Sequence, residues 1–581
     1  MTGLSGGGLT LPDMFAGLHF KVGIAGAGIN DQRSREPGGG PNMRSKRRIG
    51  IVDLVTKAPT RAVYARVMHP SFASIMPQAV GVWCEEKGHD VSYVCYTGFE
   101  DLLQELPDRM DLLFIGAFTQ AAQLAYAISN MFRQRGAITA LGGPHARCYP
   151  DDARKYFDYV LGFTDQAVLD DVLRDCSQHR PLGVQLSAAR QPTHLPGVRE
   201  RWKFIAPTLA KAPTRIKIVP MIGSLGCPYT CSFCIDSVVD YQPMSYDQIR
   251  EDLRFLVKTQ KRPAVGWHDP NFGVRFDEIV GTIEEAVRPG TISFVAESSL
   301  SLLAEEKLKR LKTAGFMAML PGIESWFSLG NKAKTGRKQG LDKVDQVSEH
   351  VNLILRYIPY VQTNFVLGLD DDVGAEPFEL TKQFLYRSAG AFPGYSLLSA
   401  FGEAAPLNLE LQRAGRVLPF PFHFLNNNHA MNVRPKHYSW PEFYDRVIDL
   451  SKYSFSWKIM ARRARATPPG FATWLNLVRG ISSEGFGRIK FYTKVRELLD
   501  TDRSVAAYFA GETQELPAFY AQRMQHDLGP LWHFLPPGAM YHDHTAYLAK
   551  QATQLEIRIA VRRPRLDTRN DARVGQLPDP A

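Results

Sequence analysis

The sequence lacks any apolar run long enough to cross a bilayer, so it predicts no membrane-spanning helix. It is also poor in cysteine, with seven in 581 residues. An odd count, in a large chain without a visible secretory signal, argues against a disulfide framework and favours the reducing cytoplasm. With 44% hydrophobic and 22% charged residues, the composition excludes collagen-like and wholly disordered chains and suffices for several buried cores.

Acidic residues are in the minority, with 59 Asp and Glu against 69 Lys and Arg, and the formal net charge is +10. Residues 1–48 carry seven basic and three acidic side chains, and residues 558–581 carry six and three, so the two ends hold seven of the ten charges. We interpret 1–48 as a flexible, Gly-rich basic leader and 558–581 as a disordered basic tail. Without a nucleic-acid-binding module between them, no nucleic-acid partner is expected.

From residue 49 onward, continuous apolar strands alternate with helical segments of about a dozen residues. The predicted strands are IGIVDLV, DVSYVCY, DLLFIGA and ITALGG. This alternation is typical of a parallel sheet covered on both faces, and it predicts a doubly wound, Rossmann-like α/β domain over 49–180. Its ligand should lie beyond the carboxyl ends of the strands, where the loops GAFTQ and GGPHA follow. We interpret 181–215 as a linker.

A second alternating series occupies residues 216–430 and contains six strand–helix units. Six such units predict a partial, TIM-like (β/α)6 barrel with its active residues at the C-terminal ends of the strands. Residues 431–557 are mostly helical in pattern and rich in aromatic residues, so we expect a helical C-terminal domain there.

Three of the seven cysteines, Cys227, Cys231 and Cys234, form a C-x3-C-x2-C loop directly after a predicted strand. Structural zinc sites usually take four protein ligands, and a fourth is missing here. Cuboidal iron–sulfur clusters normally use four thiolates, so three thiolates leave one iron open to a ligand from outside the protein. A zinc knot or incidental cysteines are the alternatives.

On this motif and its surroundings, over about residues 49–410, the chain resembles radical S-adenosylmethionine (SAM) enzymes of the cobalamin-binding type. The resemblance implies a 4Fe–4S cluster on Cys227, Cys231 and Cys234, whose open iron chelates the amino and carboxylate groups of SAM. It also implies four SAM contacts, each at or near a strand end: Phe233 before the third cysteine, Glu297 in AES, Glu324 in GIES and Asn364 in TNF. The three polar residues have an alternative role as ordinary hydrogen-bonding groups at the end of the barrel.

The first domain resembles the cobalamin-binding module that precedes such barrels. The stretches LLFIGAFTQ and ALGGPHARCYPDDARKYFDYVLGF carry the resemblance. It implies contacts to the corrin or its nucleotide tail from five residues: Thr119, Gln120, Gly142, Gly143 and His145. The D-x-H-x-x-G motif is missing, so no histidine ligand to cobalt is implied.

The resemblance implies a cobalamin-dependent methyltransferase that acts at an unactivated carbon through a 5′-deoxyadenosyl radical. Its substrate would be a small molecule or a peptide, and its electrons would come from a reductase such as flavodoxin or ferredoxin. No catalytic residue beyond the cluster is assigned. One alternative is an oxidative cyclase or a rearrangement enzyme, with or without cobalamin. The other is a non-catalytic protein that uses a metal cluster for binding or regulation.

Two further groups of residues have a functional and a structural interpretation. His533, His542, His544 and Asp543 could be metal ligands, but a polar turn is the favoured interpretation. Arg462, Arg463 and Arg465 form a charge run that is typical of a solvated helix face.

Overall fold

The computed structural model describes residues 46–176, 182–213, 217–425, 430–482 and 484–545. The predicted basic tail and nearly all of the predicted leader lie outside these ranges. Two parallel sheets followed by a series of helices confirm the expected α/β fold. No helix within the described ranges is both long and apolar enough to span a membrane.

The first sheet has six parallel strands, in the spatial order β2-β1-β3-β4-β5-β6. In chain order they are β1 (Arg48–Leu54), β2 (Asp90–Tyr96), β3 (Leu112–Ala117), β4 (Ile138–Gly142), β5 (Tyr159–Leu161) and β6 (Val184–Leu186). The helices among them are α1 (Val63–Met68), α2 (Ile75–Glu86), α3 (Leu102–Glu105), α4 (Ala122–Arg133), α5 (Pro144–Cys148), α6 (Pro150–Ala153) and α7 (Gln166–Asp175), with 3-10 turns at His69–Phe72 and Thr119–Ala121.

Both faces of this sheet are buried, which is why its strands are continuously apolar rather than alternating. On one face, Ile51 and Phe114 pack with α2 and α7. On the other face, Val52 and Ile115 pack with α4. Successive residues of a strand point to opposite faces, so a strand buried on both sides must be apolar throughout.

The segment that we expected to be a linker is largely ordered. Strand β6 pairs with β5 and completes the first sheet, and helix α8 (Val198–Ala210) packs against α2 and α9 (Tyr246–Thr259). The sequence of this segment shows no clear strand or helix period, because β6 has only three residues and α8 contains Pro207. In chain order, these elements lie between the two sheets. Strand β6 joins the first sheet, and helix α8 packs against helices of both halves.

The second sheet also has six parallel strands, in the spatial order β14-β13-β12-β11-β10-β7, which confirms the partial barrel. The strands of this half are β7 (Ile218–Met221), β8 (Ser224–Leu225), β9 (Gln242–Pro243), β10 (Ala264–Trp267), β11 (Ser293–Ser299), β12 (Phe316–Glu324), β13 (Tyr360–Leu367) and β14 (Phe392–Leu397). Its other helices are α10 (Phe276–Ala286), α11 (Glu305–Ala314), α12 (Gly330–Ala333), α13 (Gly340–Tyr357), α14 (Glu376–Arg387) and α15 (Pro406–Arg413), with 3-10 turns at Leu300–Leu302 and Phe422–Phe424.

Local chemistry explains the bounds of the barrel helices. Helix α9 begins after Ser245, whose hydroxyl accepts a hydrogen bond from the Gln248 N–H. Helix α11 ends at Gly315, which has a φ of 105° in the left-handed region that glycine adopts without strain. Each helix then returns the chain to the start of the next parallel strand, so the carboxyl ends of all six strands lie at one end of the barrel.

The last part of the chain is helical, as expected. It comprises α16 (Trp440–Ser454), α17 (Trp457–Ala466), α18 (Phe471–Ile481), α19 (Phe486–Thr501), α20 (Arg503–Ala510) and α21 (Ala518–Leu528), with a 3-10 turn at Gly529–Phe534.

The charge run on α17 is not the solvated face that we expected. Arg463 is only 2% exposed and donates to the carbonyls of Ala391 and Ser454. The guanidinium of Arg462 lies 3.9 Å from the centre of the Tyr386 ring. Of the three arginines, only Arg465 is exposed. Sequence alone does not say which face of a short helix is buried. It therefore could not show that Arg463 is buried and Arg465 exposed.

A tight contact joins the first sheet's half of the molecule to the end of the barrel. The N–H of Glu403 donates to the carbonyl of Cys148 at 2.8 Å, and Gly402 beside it has a φ of 47°. A Cβ at Gly402 would collide with that same carbonyl. Only glycine therefore fits at this junction.

We expect the Gly402→Ala substitution to destabilise the protein by about 2 kcal/mol or more, because it adds a backbone collision to the strain of a positive φ. Gly415→Ala is the matched control: Gly415 also has a positive φ, 62°, but its Cβ would meet nothing within 4 Å. Thermal unfolding by circular dichroism should show a clearly lower melting temperature for Gly402→Ala than for Gly415→Ala. Equal melting temperatures would contradict the importance of this contact.

Candidate functional site

The cysteine loop begins at the carboxyl end of β7, the first strand of the barrel. Strands β8 and β9 form a short antiparallel pair that closes the base of the loop, with Ser224 opposite Pro243. Gly226 precedes the first cysteine with a φ of 65°, and a Cβ there would collide with the carbonyls of Val239 and Asp240. The glycine of the G-C-x3-C-x2-C sequence therefore lets the two sides of the loop approach each other.

Contacts from three other parts of the chain hold the loop in place. The Leu407 N–H donates to the Ser232 carbonyl at 2.8 Å, and the Tyr229 and Ser301 hydroxyls are hydrogen-bonded. From the first domain, Arg147 donates to the Ile235 carbonyl at 3.0 Å and forms an ion pair with Asp236. The loop is thus fixed by the barrel and by the first domain together.

The three cysteines line one cavity at the carboxyl end of the barrel strands. Cys231 is buried, whereas Cys227 and Cys234 are half-buried. Burial raises the pKa of the Cys231 and Cys234 thiols, and the nearby positive charge of Lys332 opposes that rise. The structure brings all four residues that we expected to contact SAM into the lining of this same cavity: Phe233, Glu297, Glu324 and Asn364.

An ion pair crosses the cavity wall between Glu324 and Lys332, with an Nζ–Oε1 distance of 2.5 Å. Glu324 ends β12 with a φ of 66°, which is unusual for a residue other than glycine, and the register with β13 shifts at this point. A Cβ at Gly322 would collide with the Glu324 carboxylate. The G-x-E sequence thus combines a bent strand end with the space that the carboxylate requires.

Asn271 contributes a buried donor that has no partner within the described residues. Its side chain is 2% exposed, and its Oδ1 accepts from the Ser299 N–H at 2.8 Å. Its Nδ2, in contrast, makes no hydrogen bond although Asn271 lines the cavity. A buried amide without a partner is costly, so this donor fits a ligand that brings an acceptor into the cavity, as the carboxylate of SAM would.

The three cysteines share a cavity but are not gathered around a single point. Within the described ranges, no three His, Cys, Asp or Glu side chains are gathered closely enough to hold one metal ion. A zinc ion draws its sulfur ligands to about 2.3 Å from one centre. In a cuboidal cluster each thiolate binds a different iron, so the three sulfurs stay farther apart.

A chain of hydrogen bonds runs from this cavity along the inside of β13 to the helical domain. The Gln362 side-chain amide donates to Asn364 Oδ1 at 2.6 Å, and Arg479 of α18 donates to Gln362 Oε1 at 2.5 Å. Arg479 is in turn paired with Glu484. This connection fixes the rotamer of Asn364 from the opposite end of the strand.

A second cavity lies where the first domain meets the barrel. Gly142 and Gly143 line it at the end of β4, together with Gly116 at the end of β3 and with Ile222 and His268 from the barrel. Gly143 has a φ of 94°, and its Cβ would lie 2.8 Å from the Ala117 carbonyl oxygen. A Cβ at Gly142, in contrast, would meet nothing within 4 Å, so this glycine leaves open space that a bound group could fill. These features fit the close approach of a large planar cofactor to the main chain.

The other three residues expected to contact cobalamin are not among those that line this cavity. Thr119 is buried and Gln120 is half-buried in the turn that follows β3. His145 is fully buried, its Nε2 is hydrogen-bonded to the Tyr126 hydroxyl at 2.6 Å, and burial lowers its pKa to about 3. In this structure His145 is a neutral core residue.

Two residues of the second cavity were not predicted as site residues. Arg147 lines its wall and also holds the cysteine loop through Ile235 and Asp236. His268 faces the cavity from the end of β10, and the surrounding protein, together with Arg201, lowers its pKa to about 4. The first cavity likewise contains Lys332, which lies in the four-residue helix α12, too short to give a periodic signal.

The histidines near the C-terminus do not form a metal site within the described residues. His542 is 8% exposed and its ring stacks on Phe422, with the two ring centres 4.2 Å apart. His542 therefore packs among aromatic side chains and is not part of a solvated polar turn.

Comparison with known proteins places residues 221–372 in the family model described as the radical SAM superfamily. The chain is 22% identical to bacteriochlorophyllide d C-12(1)-methyltransferase of Chlorobaculum tepidum, in an alignment covering 63% of this chain and 80% of that protein. It is 29% identical to hopanoid C-2 methylase of Rhodopseudomonas palustris, in an alignment covering 54% of this chain and 63% of that protein. Among solved structures, the methyltransferase TsrM of Kitasatospora setae, with cobalamin and a [4Fe-4S] cluster bound, matches with a TM-score of 0.50 at 14% identity, covering 83% of this chain and 99% of that chain. This last likeness establishes a shared fold.

Proposed function

We propose that this chain, a radical SAM enzyme of the cobalamin-binding type, transfers a methyl group to an unactivated carbon of a small molecule. The observation that supports this most is the convergence of Cys227, Cys231 and Cys234 with Glu297 and Glu324 on one cavity at the carboxyl ends of the barrel strands. A second, glycine-lined cavity adjoins the same loop through Arg147. A cluster-and-SAM site next to a cobalamin site is what such a transfer requires.

In this proposal each group has its own set of residues. The three cysteines hold the cluster, and Phe233, Asn271, Glu324 and Asn364 surround SAM. The cleft bounded by Gly116, Gly142 and Gly143 holds cobalamin. When bound, these groups supply one-electron cleavage of SAM and a carrier for the transferred methyl group.

The protein's contribution is orientation and the exclusion of water. Lys332 keeps the Glu324 carboxylate in one position through their ion pair, and Gln362 does the same for Asn364 through its amide. A reactive radical also has to be protected from solvent, which is part of the same proposal. The fixed side chains also hold the reacting groups in one relative geometry.

The relatives suggest which substrates to test first. Their names state that one acts on a bacteriochlorophyllide and another on a hopanoid, both large polycyclic molecules. We therefore propose a polycyclic small molecule as the substrate class. A flavodoxin- or ferredoxin-type reductase as electron donor, a cytoplasmic location and the lack of a nucleic-acid partner belong to the same proposal.

The test uses the full chain, purified anaerobically with cobalamin supplied and the cluster reconstituted. The enzyme is reduced and given SAM labelled with deuterium in its methyl group, first alone and then with bacteriochlorophyllide d or a hopanoid. We expect the visible spectrum to change to that of methylcobalamin before any substrate is added. With an accepted substrate, mass spectrometry should detect 5′-deoxyadenosine and a product that carries the labelled methyl group.

Two other outcomes would each overturn the proposal. Formation of 5′-deoxyadenosine and a product without the label would indicate cyclisation or rearrangement instead of methyl transfer. Failure to form either methylcobalamin or 5′-deoxyadenosine in the reduced, cluster-loaded enzyme would favour a protein that uses its metal cluster only for binding or regulation.

A further inference from the structure

An ordinary surface helix buries its large apolar side chains. Helix α18 instead buries small and polar residues and exposes its large apolar ones. The side chains that it buries are those of Ala472, Asn476 and Gly480. Its large apolar side chains face outward, with exposed fractions between 39% and 48%: Phe471, Trp474, Leu477 and Ile481. Since residues three, four and seven apart share one face of a helix, these four side chains form a single exposed stripe.

Two more exposed aromatic side chains lie on the elements that flank α18. Gly480 near the end of α18 packs close to Met460 and Phe455 around the start of α17, so the two helices lie against each other. Trp457 at the start of α17 is 67% exposed, and its ring centre lies 5.8 Å from that of Phe486. We define the apolar patch as Trp457, Phe471, Trp474, Leu477, Ile481 and Phe486. Exposed apolar surfaces that are contiguous mark sites of interaction.

The apolar patch lies in a strongly basic part of the described chain. Residues 456–490 contain seven Lys and Arg but one acidic residue, so this segment carries a net charge of +6. Lys458, Arg465 and Lys490 are exposed. The one acidic residue, Glu484, is paired with Arg479. The outward charge of this segment is therefore entirely positive.

We propose that the apolar patch and its three exposed basic residues dock the enzyme on an anionic lipid surface. Tryptophan and phenylalanine are the side chains that favour the membrane–water interface, and lysine and arginine beside them are attracted by anionic headgroups. A bilayer of anionic lipids offers an apolar layer beneath negative charge, which complements both features of the surface at once.

The position of the apolar patch makes such docking compatible with access to the candidate site. Arg479 of α18 contacts Tyr360 at the beginning of β13, and Arg463 of α17 contacts Ala391 just before β14. The two helices therefore cover the amino-terminal end of these barrel strands. The cysteines lie at the carboxyl end, so a docked enzyme keeps its cofactor cavities away from the lipid surface.

The test uses the full chain and measures co-sedimentation with vesicles of phosphatidylcholine alone and of equal parts phosphatidylcholine and phosphatidylglycerol. We expect binding to the anionic vesicles and weak binding to the neutral ones, with a decrease at high salt. Binding requires neither cluster nor SAM, so it is measured independently of methyl transfer. Failure of the proposed methyl transfer would leave this result unchanged.

The variants separate the apolar and the electrostatic contributions. Trp457→Ser combined with Trp474→Ser should lower partitioning about tenfold or more, because the two largest apolar side chains are lost. Replacing Lys458, Arg465 and Lys490 by Glu should weaken anionic binding by at least about fivefold for each residue. Leu341→Ser is the matched control, since Leu341 is 47% exposed on α13 and lies outside the apolar patch.

Several results would overturn the proposal. They are no binding of the unaltered chain to anionic vesicles, equal binding to neutral and anionic vesicles, and an effect of Leu341→Ser as large as that of the tryptophan pair. A dimer in sedimentation equilibrium that dissociates in the tryptophan variant would show that a second copy covers the apolar patch instead. Quenching of tryptophan fluorescence by brominated lipids, reduced in the variant, would support insertion of the apolar patch.

Discussion

Replacing Cys231 with alanine is expected to lower the iron content from about four atoms per chain to near zero and to abolish SAM cleavage. Cys231 is the most buried of the three cysteines, and its loop neighbours leave no other thiol to take its place. Two thiolates do not retain a cluster that normally needs at least three. Iron analysis, the visible absorption of the cluster and the yield of 5′-deoxyadenosine should therefore decrease together.

The matched control for this variant is Cys176→Ala. Cys176 is also buried, but it lies at the end of α7 in the first domain. Its removal deletes the same atoms from a core position and should leave iron content and SAM cleavage at the level of the unaltered enzyme. Intact SAM cleavage in Cys231→Ala would contradict the assignment of the cysteine loop as the cluster site.

The second large effect is expected at Gly142, where leucine should remove cobalamin and spare the cluster. A Cβ at Gly142 meets nothing within 4 Å, so the substitution begins without a collision with the protein. The new side chain instead fills the cleft between the first domain and the barrel. We expect bound cobalamin to decrease from about one per chain to near zero and methyl transfer to stop.

Properties that depend on the cluster and not on cobalamin should remain unchanged in this variant. Iron content and 5′-deoxyadenosine formation should persist in Gly142→Leu, since the cysteine loop lies in the other cavity. Gly281→Leu is the control, because a Cβ at Gly281 on α10 also meets nothing within 4 Å but lies outside both cavities. Full cobalamin occupancy in Gly142→Leu, measured by the visible spectrum of the purified protein, would show that the cofactor binds elsewhere.

Much of the fold was predictable because its signals are periodic. Buried parallel strands are almost continuously apolar, so β1 and β3 could be recognised from composition and length alone. The cysteine loop was predictable for another reason, since the spacing of its thiols restricts the chemistry that they can perform. The family resemblance singled out Glu297, Glu324 and Asn364, and they share one cavity because the carboxyl ends of parallel strands meet at one edge.

Other features depend on tertiary packing and carry no local signal. His145 follows a glycine pair exactly as a ligand contact would, yet the ring is enclosed by Tyr149 and Phe422 and bonded to Tyr126. Arg147 reaches its partner in another part of the fold and Lys332 pairs eight residues away, both from helices too short to show a period. The sequence also does not reveal that the apolar stripe of α18 is exposed, because an apolar stripe normally predicts burial.

Arg147 has a consequence for how the two cavities can influence each other. One guanidinium forms part of the wall of the glycine-lined cleft and also holds the main chain of the cysteine loop at Ile235. A group that moved this side chain on binding in the cleft would therefore also release the cysteine loop. Such a coupling is reciprocal, so a change in the loop would alter binding in the cleft by the same factor.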